Sequence, residues 1–208
     1  MQDAIVGIWA REAHLSAEVL GSLRDLNHRF LDLAGSRTGD WARPGGRGVP
    51  ADLARQVAPL SAGQRAAAAS CPYALFDLRF QDDGHWRLRF AQGDPWQVAD
   101  KPSGDGDQVG FVRLALFYAW HIASSEGLTA QLLLGMNNST AAAFRRVSVN
   151  SLPALVETES VNLTARWSGC SAYWSALTGA AARTDATALR RVQLYGLQLA
   201  AAERLPNP

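Results

Sequence analysis

From His14 to Ala34 the apolar residues Leu15, Val19, Leu20, Leu23, Leu26, Phe30, Leu31 and Leu33 recur at helical spacing, and Gly35 follows as a stop signal. The spacing predicts an amphipathic helix. A loop rich in glycine, with Pro44, leads to Val49-Pro50-Ala51-Asp52-Leu53, which opens a second helix with proline in its first turn and runs to about Ala58. Pro59 breaks it, and Ser61 caps a short helix through Ala69, so two short helices meet at a tight turn. Ala74, Phe76, Leu78 and Phe80 then alternate with Asp77 and Arg79, the period of a strand with one buried face. After the turn at Asp82-Asp83-Gly84, Trp86, Leu88 and Phe90 alternate with Arg87 and Arg89. A β-hairpin fits this pattern, and so does a short helix. Glycine and proline crowd the stretch from Ala91 to Gln108, which reads as a linker.

The pattern then starts again. An apolar helix over about Gln108 to Ser124 leads to Gly135-Met136, a helix over Ser139 to Arg146, the turn Val147-Ser148-Val149 and a helix to about Glu157. Val161, Leu163, Ala165 and Trp167 alternate with polar residues, as the first strand does. Gly48 and Gly135, Ala54 and Ala141, Ser61 and Ser148, Ala67 and Ala154, and Arg79 and Arg166 all lie 87 residues apart with no gap. Glycine, turn serine, apolar spacing and strand arginine therefore repeat together, as in a duplicated supersecondary unit. A last helix spans roughly Ala186 to Arg204. The expected fold is mainly α: a tandem pair of helix-turn-helix-containing units with short β strands, related by a pseudo-two-fold. The units are 1–95 and 109–208, joined by a linker at 96–108. Paired strands around Phe76 and Leu163 would bury Phe80 and Trp167, and Phe76, Leu78, Phe80, Leu163 and Trp167 are the candidate repeat or subunit interface.

Composition narrows the function. Apolar residues make up 48% of the 208 and charged residues 19%, which suits a packed globular chain. Only one of the 20 basic residues is a lysine, Lys101, and the formal net charge is +1, so no overall field draws nucleic acid or an acidic membrane. The longest apolar stretch, Phe111 to Ala123, contains Arg113 and His121 and falls short of the roughly 20 residues needed to span a bilayer. With two cysteines and no basic leader at the start, a reducing cytoplasm is expected.

Between Phe117 and Trp167 the chain carries Leu134-Gly135-Met136-Asn137, Ala141, Phe144, Val147-Ser148-Val149, Leu152, Leu155, Glu157-Thr158 and Arg166-Trp167. In this order the segment resembles the D subunit of the bacterial flagellar master transcriptional activator. The first repeat resembles it too, through Asp25-Leu26-Asn27, Phe30-Leu31, Leu33-Ala34, Gly48-Val49, Leu60-Ser61 and Arg79-Phe80. The resemblance implies a mostly helical fold that pairs with a second copy, and a role in transcription through a partner subunit that supplies much of the DNA binding. The tandem arrangement departs from the single-unit family.

The candidate DNA contacts are Arg145 and Arg146 at the end of one helix and Ser148, Asn150 and Ser151 at the start of the next. The second helix offers few polar readers, so DNA contact is expected to be weak or indirect and a protein partner, a regulator subunit or self-association, to carry the function. An adaptor that keeps the fold without a DNA role is the alternative. Cys71, His85 and Asp82-Asp83 contain the groups of a nucleophile triad, but no motif surrounds Cys71. A buried thiol and a turn histidine are expected instead. Gly45-Gly46-Arg47-Gly48 lacks the ending of a nucleotide loop. The four histidines show no ligand spacing. No catalytic residue, metal, cofactor, small-molecule ligand or membrane contact is inferred.

Overall fold

The computed structural model describes residues 16–36, 48–92 and 106–204, and these form ten α-helices, a one-turn 3₁₀ helix and one two-stranded sheet. The fold is mainly α. Helix α1 spans Ala17–Ser36, with the Ser16 hydroxyl accepting the Val19 N–H at its start. Its buried stripe is Leu23, Leu26, Asn27, Phe30, Leu31, Leu33 and Ala34. Helices α2 (Ala51–Val57) and α3 (Ala62–Ala69) pack on it. Ser61 begins α3 with a reciprocal capping box to Gln64, satisfying two otherwise orphaned backbone donors. Past α3 the chain is held to α1 by Asn27, fully buried, whose amide donates to the carbonyls of Ala69 and Tyr73 and whose oxygen accepts the Leu75 N–H. That clamp delivers strand β1, Phe76–Asp77.

Helix α4 follows at Asp83–Gln92, so the hairpin option for Trp86, Leu88 and Phe90 is overturned. The cause is local. Asp82 accepts the His85 N–H with its carboxylate, as an N-cap does, and Trp86 turns inward to donate its indole N–H to the Arg79 carbonyl. Leu88 is left 54% exposed. Arg79 itself has φ +59°, which ends the strand after two residues rather than at Phe80.

Helix α5 (Gly106–Ser125) begins inside the stretch read as linker, and residues 96–105 of that linker lie outside the described residues. Against α5 pack α6 (Gly127–Leu134), α7 (Asn138–Arg146) and α8 (Leu152–Ser160), with the 3₁₀ turn Val149–Ser151 between the last two. Strand β2 is Thr164–Ala165, followed by α9 (Ser171–Ala182) and α10 (Ala186–Ala202).

Strands β1 and β2 pair antiparallel, Phe76 opposite Ala165 and Asp77 opposite Thr164. Helix α1 touches α5 across this seam. Helix α4 packs on α7, and α9 packs on α2 and α3, so each reaches across to the other half of the chain. One buried hydrophobic cluster draws on both halves, from Leu23 to Val192.

Spacings between matching features are regular. Gly48 and Gly135, both at positive φ, the N-cap serines Ser61 and Ser148, the first residues of α2 and α7, and the opposed pair Asp77 and Thr164 are each separated by 87 residues. From the next corner on the separation is 88: Arg79 and Trp167 at positive φ, Asp82 and Cys170 before their helices, and Trp86 and Trp174 within them. A single residue is therefore added between ladder and corner in the second half.

Candidate functional site

Arg145 and Arg146 occupy the last turn of α7, exposed and without an ion pair among the described residues. Ser148 is exposed and spends its hydroxyl oxygen on the Asn150 N–H; Asn150 is exposed and Ser151 half-buried. Helix α8 turns Leu152, Leu155, Val156, Glu159 and Ser160 inward. What faces outward is Pro153 and Thr158, with Ala154 and Glu157 half-exposed. That surface has no arginine, asparagine or glutamine to meet a base, and Glu157 would repel phosphate. In the first half Gln64 of α3 is committed to the Ala182 carbonyl and Arg65 to Asp32, 2.6 Å away.

Phe76, Leu78, Phe80 and Leu163 are buried, whereas Trp167 is half-buried rather than fully enclosed. Phe76 meets Phe111 of α5 edge-on at 5.1 Å, with Phe30 of α1 completing a triangle across the halves. Phe80, Trp86 and Phe90 of the first half surround Phe144 of α7, with Trp86 and Phe144 at 4.7 Å. Trp167 packs edge-on against Tyr73 at 5.2 Å and Tyr173 at 5.0 Å.

Two polar clusters escape sequence reasoning because their members are far apart along the chain. Glu159, fully buried, lies 2.9 Å from His85 Nε2 and accepts the Asn162 amide at 2.8 Å. Arg89 Nε approaches its other oxygen at 2.9 Å, as an ion pair without hydrogen-bond alignment. The second cluster is uncharged: Tyr173 donates its hydroxyl to Tyr73 at 3.2 Å, and the Cys71 thiol lies 3.9 Å from the Tyr173 hydroxyl. Burial pushes the Cys71 thiol up to about 11, so it stays protonated, and burial likewise raises both tyrosines. Cys71 and His85 thus belong to different clusters, and the groups of a nucleophile triad are not assembled.

A pocket of about 280 Å³ opens beside the ladder, where Asp77, Thr164, Arg166 and Trp167 meet Gln81 and Glu203. Arg166 is 3% exposed; it donates to the Leu133 carbonyl at 3.1 Å and to Glu203 at 2.5 Å, with its guanidinium 4.6 Å above the Trp167 ring. The indole of Trp167 donates to the second oxygen of Glu203 at 2.6 Å. Gly135 is required here twice over: its φ is +72°, and a Cβ would lie 2.5 Å from Arg166 Nη2. Asp77 accepts the Phe80 N–H at 3.1 Å, and burial raises its carboxyl above the ordinary value.

Among the described residues no three His, Cys, Asp or Glu side chains converge as metal ligands, and no helix is long and apolar enough to cross a membrane. Compared with known protein families, curated proteins and solved structures, the chain gives no match.

Proposed function

We propose that this chain is a non-enzymatic, transcription-regulator-like protein that acts through protein assembly, with DNA contact supplied by or shared with a partner. In this reading its two halves are divergent copies of one helix-turn-helix-containing unit, packed about a pseudo-two-fold as two subunits of a dimer would be. The ladder carries the reading. A two-fold between copies offset by 87 residues requires that a residue on the axis face its own equivalent, and Asp77 faces Thr164. The exchange of α4 and α9 between halves has the same symmetry.

Indirect action on DNA is supported by the outward face of α8, which carries no basic residue. The same observation favours the second reading, an adaptor with the fold and no DNA role. Isolated chain is titrated with duplex DNA at low and moderate salt, alone and with the partner captured from nuclease-treated extract of the source organism. The expected result is DNA binding by the assembly and not by the chain alone, with partner capture unchanged by Arg145→Ala and Arg146→Ala together. Salt-sensitive binding by the chain alone, abolished by that double change, overturns indirect action, since each phosphate contact contributes about one unit of salt slope. An assembly that never binds DNA selects the adaptor.

A further inference from the structure

Helix α10 has no counterpart in the first half among the described residues, and at its C-terminal end Glu203 ties it to the ladder corner. Glu203 gives each carboxylate oxygen a separate donor, Arg166 Nη2 at 2.5 Å and Trp167 Nε1 at 2.6 Å. The donors and the acceptor differ in setting. Arg166 is locked in the core by the Leu133 carbonyl, the Trp167 ring and the absence of a Cβ at Gly135, whereas the Glu203 side chain is 25% exposed at a helix terminus. The corner is thus a built carboxylate clamp whose present occupant is tethered. The pocket of about 280 Å³ opens directly on it, and Asp77, which has no ion-pair partner among the described residues, lines the same space.

We propose that this pocket binds a free amino acid, whose carboxylate replaces Glu203 between Arg166 and Trp167 and whose ammonium group faces Asp77. Charge selects that class. With Glu203 swung into solvent the pocket holds one buried guanidinium and one half-buried carboxyl, the complement of a zwitterion. A dicarboxylate would meet Asp77 with like charge, and a simple amine would leave the clamp occupied by Glu203. Because the tethered competitor acts at an effective concentration on the order of millimolar, the wild-type chain binds only weakly, and occupancy loosens the end of α10. Arg166 already favours ionised Asp77 and Glu203 opposes it; an ammonium ligand adds to the first and displaces the second, so binding strengthens as pH rises out of the acid range.

Calorimetric titration of the full chain with glycine, β-alanine and γ-aminobutyrate tests this, with acetate and methylammonium as half-ligands. Glu203→Gln removes the competing charge. The expected result is saturable binding of at least one of the three, about tenfold or more tighter in Glu203→Gln than in wild type, weaker again when Asp77→Asn is added, and undetectable for either half-ligand at the same concentrations. Ligand should also speed amide exchange over residues 199–204 of the wild type. Should Glu203→Gln fail to fold, Glu203→Asp, which keeps the charge and shortens its reach, takes its place. Absence of saturable binding in the folded variant overturns the proposal. So does acetate binding as tightly as the amino acids, or binding indifferent to Asp77→Asn.

Discussion

Helix α4 leaves the first half and docks on α7 of the second, and α9 leaves the second half and docks on α2 and α3 of the first, yet their buried polar contacts share no chemistry. Both begin alike: a positive-φ corner, then a helix whose fourth residue is a tryptophan that donates its indole N–H back to the corner, from Trp86 to Arg79 and from Trp174 to Arg166. One residue before each tryptophan they part. His85 reaches the buried carboxylate of Glu159, whereas Tyr173 in the corresponding place reaches Tyr73 and Cys71. The backbone solution is thus independent of what fills the contact. What the filling decides is the penalty for disturbing it, because a buried charge deprived of its partner costs far more than a lost neutral hydrogen bond.

The widest separation between the two docking sites should appear when each loses its partner. His85→Ala with Arg89→Ala strands Glu159 against Asn162 alone and should lower stability by about 3–5 kcal/mol, the range for breaking a buried ion pair. Tyr173→Phe removes one hydroxyl and should lower it by about 1 kcal/mol. Urea unfolding at neutral pH measures both, and equal losses would erase the distinction. The charged set should be replaceable as a whole: adding Glu159→Leu to the double change should recover part of the loss.

How much of this was visible beforehand follows how local each feature is. The turn serines are legible because N-cap chemistry acts over three residues, and Ser61 and Ser148 cap where the spacing places them. The 87-residue offset is legible as far as the ladder, but the added residue that makes Trp167 rather than Arg166 the counterpart of the Arg79 corner leaves no mark in the apolar pattern. Helix α4 is ambiguous because Trp86, Leu88 and Phe90 satisfy an alternating pattern, and only the cap at Asp82 with His85 and Arg89 one turn apart distinguishes a helix. Glu203 and Arg166 stand 37 residues apart and Asp77 much farther, so no window of sequence joins them. The candidate contacts Arg145 and Arg146 are exposed as their position at a helix end implies, while the pocket owes its existence to tertiary packing.

A second difference between the docking sites is that α10 covers only the tyrosine side. Tyr73 reaches the Val192 carbonyl at 3.5 Å, and its hydroxyl and ring occupy the space a Cβ would need on Gly196. Gly196→Ala should therefore lower stability by about 1–3 kcal/mol through overpacking, despite alanine's better helix propensity. Its local effect should be faster amide exchange in α10 with none in α4. A stabilised variant would mean that α10 can stand off Tyr73 far enough to admit a methyl group, so that helix propensity decides the outcome.

The smallest expected effect lies at the helix starts. Asp82 caps α4 through its carboxylate, but Cys170 makes no side-chain cap bond at the start of α9. The His85 N–H, and after it the Arg79 guanidinium 2.5 Å away, hold the Asp82 carboxyl below its ordinary 3.8. A carboxyl with a depressed folded-state pKa binds fewer protons folded than unfolded, so its stabilisation is complete above about 3.8 and disappears as pH falls through the lower folded value. The side chain is 42% exposed and the ion pair screened, so the capping bond sets the scale. Asp82→Ala should cost about 0.5–2 kcal/mol at pH 7 and progressively less as pH falls below about 3.8. Cys170→Ala should show no such pH dependence, because no carboxylate is lost. Guanidinium unfolding of both variants at pH 7, 4 and 2 reads the difference directly. A constant penalty for Asp82→Ala across that range would show that Asp82 acts through packing, and the two helix starts would then differ in shape alone.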